Sequence, residues 1–174
     1  MCPMDVAALL IELYGRIPPL AERAVSGLPA ERLAEPPGPG RNTIAWLVWH
    51  LARVQDSHIA ELGPGDQLWA TGDWAGRMGL PADPGNTGYG HTPEQVATIQ
   101  PPDGEVLLDY LMVVADRTDD FLTSLSPAQL DEVVDDRWDP PVTLGVRLVS
   151  VADDCLQHAG QAAYVRGLLE ARHP

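Results

Sequence analysis

The sequence of 174 residues contains no lysine, so the eleven basic side chains other than histidine are all arginine. Against 25 acidic residues they leave a formal net charge of −14. A nucleic-acid backbone needs a basic face on its protein partner, so this balance argues against nucleic-acid binding. We attribute the missing lysine, together with the many Ala, Gly and Pro residues, to a coding bias of the genome and not to function.

Cysteine and long apolar runs are also scarce. Cys2 and Cys155 are the only cysteines, and they make a poor disulfide framework, which predicts a reducing, cytoplasmic environment. No apolar run approaches the roughly 18 residues of a membrane span, and the N-terminus lacks the basic start of a signal peptide. We therefore expect one domain over residues 1–174, with a sizeable core and no membrane partner.

Apolar residues recur at helical spacing in four long segments, at about 5–27, 43–62, 103–124 and 143–172. Pro18 and Pro19 predict a kink or a break in the first segment. Asn42 or Thr43 is expected to cap the second segment, and Gly63 to end it. Residues 131–141 are predicted to be an ordered loop. The pattern predicts an all-α fold, a four-helix bundle with a long loop between its second and third helices.

That connection, residues 63–92, is dense in Gly and Pro but also holds several aromatic residues. Long connections often carry binding sites or lids. The chemically capable side chains here are Arg77, Tyr89 and His91. We expect the connection to fold back over the bundle as one wall of a site. The alternative is that its aromatic residues cap the far end of the bundle or form a homodimer contact.

Asp154 and His158 lie four residues apart on the last predicted helix, so their side chains project from nearly the same face. This face adjoins the apolar seam that a bundle helix turns toward its partners. A buried carboxylate is costly unless it is paired or bound to a cation, and a metal ion would explain the pair. The other interpretation is that Asp154 and His158 hydrogen-bond each other or their neighbours in a helix interface.

A metal site would need a third ligand, and His50 on the second helix is the best-placed candidate. It lies near the apolar face of that helix, between Trp46 and Trp49. Cys155 is the rival ligand and would favour zinc. His58 lies eight residues beyond His50, about 12 Å along the helix, so the two cannot share one ion. We interpret His58 as structural or peripheral.

Two segments, WLVWHLARVQDSHIAEL on the second helix and DDCLQHAGQAAYVRGLL on the last, resemble the DinB-like superfamily. This superfamily includes mycothiol-dependent maleylpyruvate isomerase. His158-Ala159-Gly160-Gln161 matches its His-x-Gly-Gln motif, Arg166-Gly167 matches a later Arg-Gly, and His50 matches a metal-binding histidine of the second helix. The resemblance covers nearly the whole chain. Asp154 departs from it, because many members have His there and the isomerase group has Glu.

The resemblance implies a bundle enzyme in which His50, Asp154 and His158 hold a divalent metal, zinc or nickel. Such a metal activates a low-molecular-weight thiol such as mycothiol for S-transfer to, or isomerisation of, a small electrophile. Arg77 is then expected to bind an anionic group of the small-molecule substrate.

The alternative is a non-enzymatic bundle that binds a metal or small ligand for structure or sensing. A fourth protein ligand such as Cys155 would favour this second hypothesis. An open coordination position that faces a cavity would favour the enzyme.

Overall fold

The structure is a computed structural model that describes residues 4–172, and most of these residues are helical. The helices in chain order are α1 (Val6–Tyr14), α2 (Ile17–Val25), α3 (Ala30–Leu33), α4 (Ile44–Leu62), α5 (Leu68–Thr71), α6 (Trp74–Arg77), α7 (Pro93–Val96), α8 (Gly104–Thr123) and α9 (Leu144–Arg172). A short 3₁₀ helix (Pro127–Asp131) and the strands β1 (Val133–Asp135) and β2 (Val142–Thr143) lie between α8 and α9.

The first helical segment is broken in two, as its prolines predict. α1 begins after Asp5, whose carboxylate accepts a hydrogen bond from the backbone N–H of Ala8. It ends at Tyr14, and α2 starts at Ile17 with Pro18 in its first turn. Proline is tolerated there because the first N–H groups of a helix have no partner within it. The prolines therefore start a new helix and do not merely bend one.

The long helix α4 lies at the centre of the packing. Its N-cap is Thr43, whose hydroxyl accepts a hydrogen bond from the backbone N–H of Trp46 at 3.1 Å, and Gly63 follows its last residue. One side of α4 packs against α9 and another against α8. A helix contacted on several sides buries residues all round, which explains why polar side chains such as His50, Arg53 and Asp56 are buried on it.

The last helix, α9, carries the buried seam that the sequence predicts. It packs against both α2 and α4, while α8 packs against α1, α2 and α4. The seam of α9 is formed by Leu144, Leu148, Val151, Ala152, Cys155, Ala159, Ala162, Val165 and Leu169, all of them buried. Two candidate ligands, Asp154 and His158, lie beside this seam and are only partly exposed.

The connection between α4 and α8 is more ordered than a loop, because it contains the one-turn helices α5 and α6 before α7. Trp69 and Met78 are buried within it, while Tyr89 is 92% exposed. Burial of its apolar side chains holds the connection against the helices. Of the aromatic residues in the connection, Trp69 packs into the core and Tyr89 does not.

Residues 131–141 differ from the predicted ordered loop, because their first part forms β1 in a two-stranded antiparallel sheet. Val133 pairs with Thr143 and Asp135 with Val142. The backbone N–H of Leu144 donates to the carbonyl of Glu132 at 2.8 Å, so the sheet is joined directly to the start of α9. Its two short strands were too brief for their alternation to be recognised in the sequence.

Several arginines brace backbone carbonyls in addition to pairing with carboxylates: Arg53 and Arg117 also contact Asp56, and Arg166 also binds Glu170. The guanidinium group carries several N–H donors in one plane, so a single side chain can bind two or three carbonyls. Arg117 donates to the carbonyls of residues 64–66, and Arg166 donates to those of Arg23 and Ser26 at the end of α2. Arg53 binds three carbonyls of the long connection.

Two expectations from composition concern cysteine and membrane spans. Cys2 lies outside the described residues, and Cys155 is buried as a free thiol. Among the helices within residues 4–172, none combines the length and hydrophobicity needed to cross a membrane.

Candidate metal centre

His50, Asp154 and His158 meet at the contact between α4 and α9. One potential ligand atom from each residue lies within 4.8 Å of the others. His158 Nε2 is 3.5 Å from Asp154 Oδ1, and the rings of His50 and His158 are 4.7 Å apart between centroids. Ligand atoms on a tetrahedral ion with bonds near 2.1 Å are separated by about 3.4 Å, so the Asp154–His158 spacing suits such an ion. The structure thus brings together the three side chains that the sequence analysis singled out as candidate metal ligands.

His50 is oriented by a backbone carbonyl. Its Nδ1 lies 2.5 Å from the carbonyl oxygen of Thr87, which can only accept, so Nδ1 carries the proton and donates. The lone pair is then left on Nε2. Trp46 stacks on the ring with centroids 4.6 Å apart and planes inclined by 15°. Burial lowers the pKa of His50 more than the Thr87 contact raises it, so the imidazole is held neutral, the form that binds a metal.

His158 has the same arrangement on the opposite helix. Its Nδ1 is 3.0 Å from Oε1 of Gln161, the glutamine of the His-x-Gly-Gln sequence. The amide oxygen accepts a hydrogen bond from the Nδ1–H group. Trp46 meets the ring edge-on at 6.1 Å. In the absence of a cation the hydrogen bond that His158 donates to Asp154, opposed by burial, raises the pKa of His158. Both histidines therefore turn Nε2 away from the oxygen that holds Nδ1, the usual arrangement of metal-ligating imidazoles.

Asp154 is the half-buried carboxylate of the group. Burial alone would raise its pKa, but its hydrogen bond to His158 and the nearby His50 and His58 together lower it, so Asp154 is ionised. Its Oδ2 is buried and has no hydrogen-bond partner among residues 4–172. A buried carboxylate oxygen without a partner is costly. A cation shared with the two Nε2 atoms would satisfy it, so the residues present fit a divalent metal.

Cys155 does not join this group. The Cys155 side chain is fully buried against α4, where its thiol donates a hydrogen bond to the carbonyl of Leu51 at 3.4 Å. Burial, followed by the charge of Asp154, raises the pKa of the thiol well above its usual range. A neutral thiol committed to a carbonyl is a poor zinc ligand. The structure therefore does not support Cys155 as the ligand that closes the coordination shell.

The Thr87 carbonyl is held in place by two buried charged residues of α4. Asp56 accepts from the backbone N–H groups of Leu68 and Trp69, where the long connection begins. Arg53 donates to the carbonyls of residues 83, 84 and 86, just before Thr87. Arg53 and Asp56 are 3.5 Å apart with no exposed side-chain surface. One helix therefore supplies both the candidate ligand His50 and the two charged residues that hold the chain segment with its hydrogen-bond acceptor, Thr87.

Gly88 allows the backbone to approach His50 this closely. Its φ of +93° lies in the region that favours glycine. A Cβ atom here would lie 2.8 Å from His50 Nδ1 and 2.9 Å from a ring carbon of Trp49. The connection continues to His91, whose Nδ1 accepts from the indole N–H of Trp46 at 3.1 Å. The aromatic residue that stacks on His50 is thus itself held by the connection.

A pocket of about 440 Å³ opens beside the candidate ligands. His50 and Asp154 line it together with Thr87 and Tyr89 from the long connection. Residues of α4 and α9 complete the lining, namely Val54, Ser57, His58, Arg147, Ser150 and Val151. The prediction that residues 63–92 form one wall of the site is therefore confirmed for their last part. His58, interpreted as structural or peripheral, in fact lines this pocket.

Arg77 occupies a different part of the molecule from the one its predicted role requires. Its Nη2 is 2.8 Å from Asp109 Oδ2 on α8, and its guanidinium lies over the Trp74 ring at 4.6 Å. The first contact joins α6 to α8 and the second lies within α6, whereas His50, Asp154 and His158 lie between α4 and α9. The structure does not bring Arg77 together with the three candidate ligands.

Sequence reasoning missed the clamp and the pocket residues. Arg53 and Asp56 are charged residues three apart on a helix that is otherwise apolar on most sides, and this pattern could have indicated a buried ion pair. The Thr87 carbonyl could not have been found from the sequence, because every residue has a backbone carbonyl and the residue type does not reveal which one accepts. Arg147 gave no signal either, since an arginine near a helix start is usually exposed.

Comparison with known proteins agrees with this geometry. The sequence model of the DinB superfamily matches residues 15–162, a stretch that includes all three candidate ligands. A crystal structure of a conserved protein from Enterococcus faecalis is similar, with a TM-score of 0.90 and 33% sequence identity, over 97% of this chain and 99% of that chain. No curated protein matches the chain. The family match spans most of the sequence, and the chain therefore belongs to the DinB superfamily.

Proposed function

We propose that this protein is a divalent-metal-dependent enzyme of the DinB superfamily, with His50, Asp154 and His158 as the metal ligands. The observation that carries the proposal is the buried, unpartnered Oδ2 of Asp154 beside two imidazoles whose Nδ1 atoms are already held by oxygens. Two imidazoles and one carboxylate suit zinc, and nickel as the second choice. We regard α1 and α2 as one interrupted helix that forms a four-helix bundle with α4, α8 and α9.

The bound metal would act as a Lewis acid and lower the pKa of a coordinated thiol or water. Three protein ligands leave coordination positions for such a group. The adjoining pocket supplies room for a small electrophile, which supports S-transfer or isomerisation with a low-molecular-weight thiol such as mycothiol. His50 and His158 would hold the metal. Trp46 limits the access of water on one side of it, and the backbone around Thr87 limits it on another. A cytoplasmic location and a small-molecule substrate belong to this proposal.

A non-enzymatic metal- or ligand-binding bundle is the second candidate. The contact between Asp154 and His158 favours it, because the pair can stabilise the helix without any substrate. The pocket beside the ligands and the commitment of Cys155 to Leu51 favour the enzyme. Turnover of thiol and electrophile panels by the metal-loaded protein separates the two candidates. A role for Arg77 in binding an anionic substrate stays a prediction, and it requires release of Arg77 from Asp109.

Loss of any ligand is expected to abolish tight metal binding. Replacing a residue that merely supports a ligand typically costs 10–100-fold in affinity, so Asp154→Ala should weaken Zn²⁺ binding by at least about 100-fold. Isothermal titration of the metal-free protein measures this effect, and metal analysis of the purified protein identifies the natural ion. Asp153→Ala is the matched control, because Asp153 is the exposed neighbour of Asp154 and bonds only to Gln157. Equal affinities of the two variants would contradict the proposed ligand set.

The thermal stabilisation by metal is expected to fade in mildly acidic solution. A proton on His158 competes with the ion, and without metal the pKa of His158 is raised above its usual value near 6.5, chiefly by Asp154. The His158–Asp154 pair stabilises the metal-free protein below about pH 6.5 and loses this contribution as the pH rises through the folded pKa. The metal-induced shift of the melting temperature should thus shrink as the pH falls from 8 to 5.5. A shift that stays constant would show that these histidines are not ligands.

A further inference from the structure

The pocket beside the candidate ligands contains a third histidine, His58, that the proposed metal site does not use. His58 lies two turns beyond His50 on α4 and lines the same pocket as His50 and Asp154. Its side chain is 34% exposed. Eight residues correspond to about 12 Å of helix rise, so His58 lies outside the coordination sphere. It is nevertheless within reach of a small molecule that begins at the metal.

Arg147 fixes which nitrogen of His58 carries the proton. Its Nη1 is 3.1 Å from His58 Nδ1, nearer than the competing acceptor Glu61 Oε2 at 3.5 Å, and a guanidinium group can only donate. We therefore assign Nδ1 as the acceptor and place the ring proton on Nε2. Arg147 is itself held, because it also donates to Glu61 Oε2 and to Asp135 Oδ2, each at 3.1 Å. With 11% of its side chain exposed, Arg147 is fixed in this position.

The proton on Nε2 has no partner in the protein. Over residues 4–172, no oxygen or nitrogen atom accepts a hydrogen bond from His58 Nε2. Burial, and then the charge of Arg147, lower the pKa of His58 against the opposing effects of Glu61 and Asp154. His58 is therefore a neutral imidazole with one free N–H group in a pocket of small-molecule size.

We propose that His58 Nε2–H binds a carbonyl-type oxygen of a small ligand whose other end is bound at the metal. This assignment rests on the proposed metal site. The ligand class is a molecule with a metal-binding atom, such as a thiol sulfur, and an amide, ketone or carboxylate oxygen several bonds away. A neutral carbonyl suits the site better than a carboxylate, because Glu61 Oε2 lies 3.5 Å from His58 Nδ1. Arg147 acts as a positioning residue.

The test measures how the affinity of the Co²⁺-loaded protein for a series of thiols depends on the length of the chain between the sulfur and a terminal group. Thiols with one to six methylene groups and a terminal carboxamide are titrated beside alkanethiols of equal length and the matching carboxylates. Sulfur-to-cobalt charge-transfer absorbance reports binding without any need for turnover. The wild type should bind one intermediate carboxamide roughly 3- to 10-fold more tightly than its alkanethiol, the gain expected of one hydrogen bond.

Three variants assign that preference. His58→Phe should lose it, whereas His58→Gln, whose amide can place an N–H group near the same point, should retain part of it. Arg147→Met should weaken the preference, because the tautomer of His58 is no longer fixed. The affinity for Co²⁺ should be unchanged in His58→Phe. Tighter binding of the carboxylate than the carboxamide would still support the donor and would identify a charged oxygen as the partner.

Two results would overturn the assignment in distinguishable ways. The role of His58 is overturned if the wild type shows no length preference, or if His58→Phe shows an equally strong one. In that case continued binding of Co²⁺ still supports the metal site. Failure of the wild type to bind Co²⁺ overturns the metal site and the role of His58 together.

Discussion

Asp56→Ala is expected to lower the free energy of unfolding by about 3–5 kcal/mol, because it leaves the buried charge of Arg53 without its counter-ion. The Asp56 side chain has no exposed surface and accepts hydrogen bonds from Leu68, Trp69 and the Tyr110 hydroxyl. Replacing it removes all of these acceptors at once. Urea denaturation monitored by tryptophan fluorescence measures the loss. If the alanine variant does not fold, Asp56→Asn, which keeps one acceptor oxygen, provides the measurement.

Two further variants grade this effect. Tyr110→Phe removes one hydroxyl, which donates to Asp56 and accepts from Arg53, and should cost about 1–2 kcal/mol. Asp116→Ala removes an exposed carboxylate from α8 and should change stability by no more than about 0.5 kcal/mol. A loss in Asp56→Ala as small as that in Asp116→Ala would show that the buried pair does not anchor the long connection.

Gly88→Ala is expected to weaken metal binding by about 10–100-fold, the usual cost of disturbing a group that orients a ligand. The new Cβ would lie 2.8 Å from His50 Nδ1, so either the Thr87 carbonyl or the imidazole must move. The left-handed backbone at Gly88 adds about 1–3 kcal/mol of strain for a residue with a side chain. Calorimetric titration with Zn²⁺ measures the first effect, and thermal unfolding without metal measures the second.

Gly90→Ala is the matched control for this variant. Gly90 has a φ of +73°, but an added Cβ would meet no atom within 4 Å. The two substitutions share the backbone strain, and only Gly88→Ala adds the collision with His50. Equal metal affinities in the two variants would show that the close approach of Gly88 does not control the orientation of His50.

The elements that were predictable from sequence are those in which a residue type and a spacing jointly determine the geometry. The break between α1 and α2 follows from two prolines, and the start of α4 follows from Thr43. The convergence of Asp154 and His158 follows from a separation of four residues on one helix. His50 was chosen because it lies near the apolar face of the second helix and matches the metal-binding histidine that the family resemblance places there.

The remainder depended on contacts that are distant in sequence. Arg53 and Asp56 determine where the long connection packs against α4, and its hydrogen bonds to them use backbone groups that any residue carries. Arg77 was assigned to the site because it lies in that connection, yet Asp109 and Trp74 hold it at α8. Similarly, His58 is separated from His50 by two helical turns. That both line one pocket becomes visible only when α9 and the chain around Thr87 are in place.

The arginines that brace backbone carbonyls have a consequence for how dissolved salt acts on this protein. Arg53, Arg117 and Arg166 bind neutral carbonyl groups as well as the carboxylates of Asp56 and Glu170, so part of what their charge contributes is a short-range charge–dipole contact. Mobile ions screen such close contacts weakly, whereas they effectively screen the mutual repulsion of exposed carboxylates. With a net charge of −14, the repulsion among carboxylates is the larger of the two electrostatic contributions that salt can change, and it destabilises the folded state. Moderate ionic strength should therefore favour the compact state of this acidic protein.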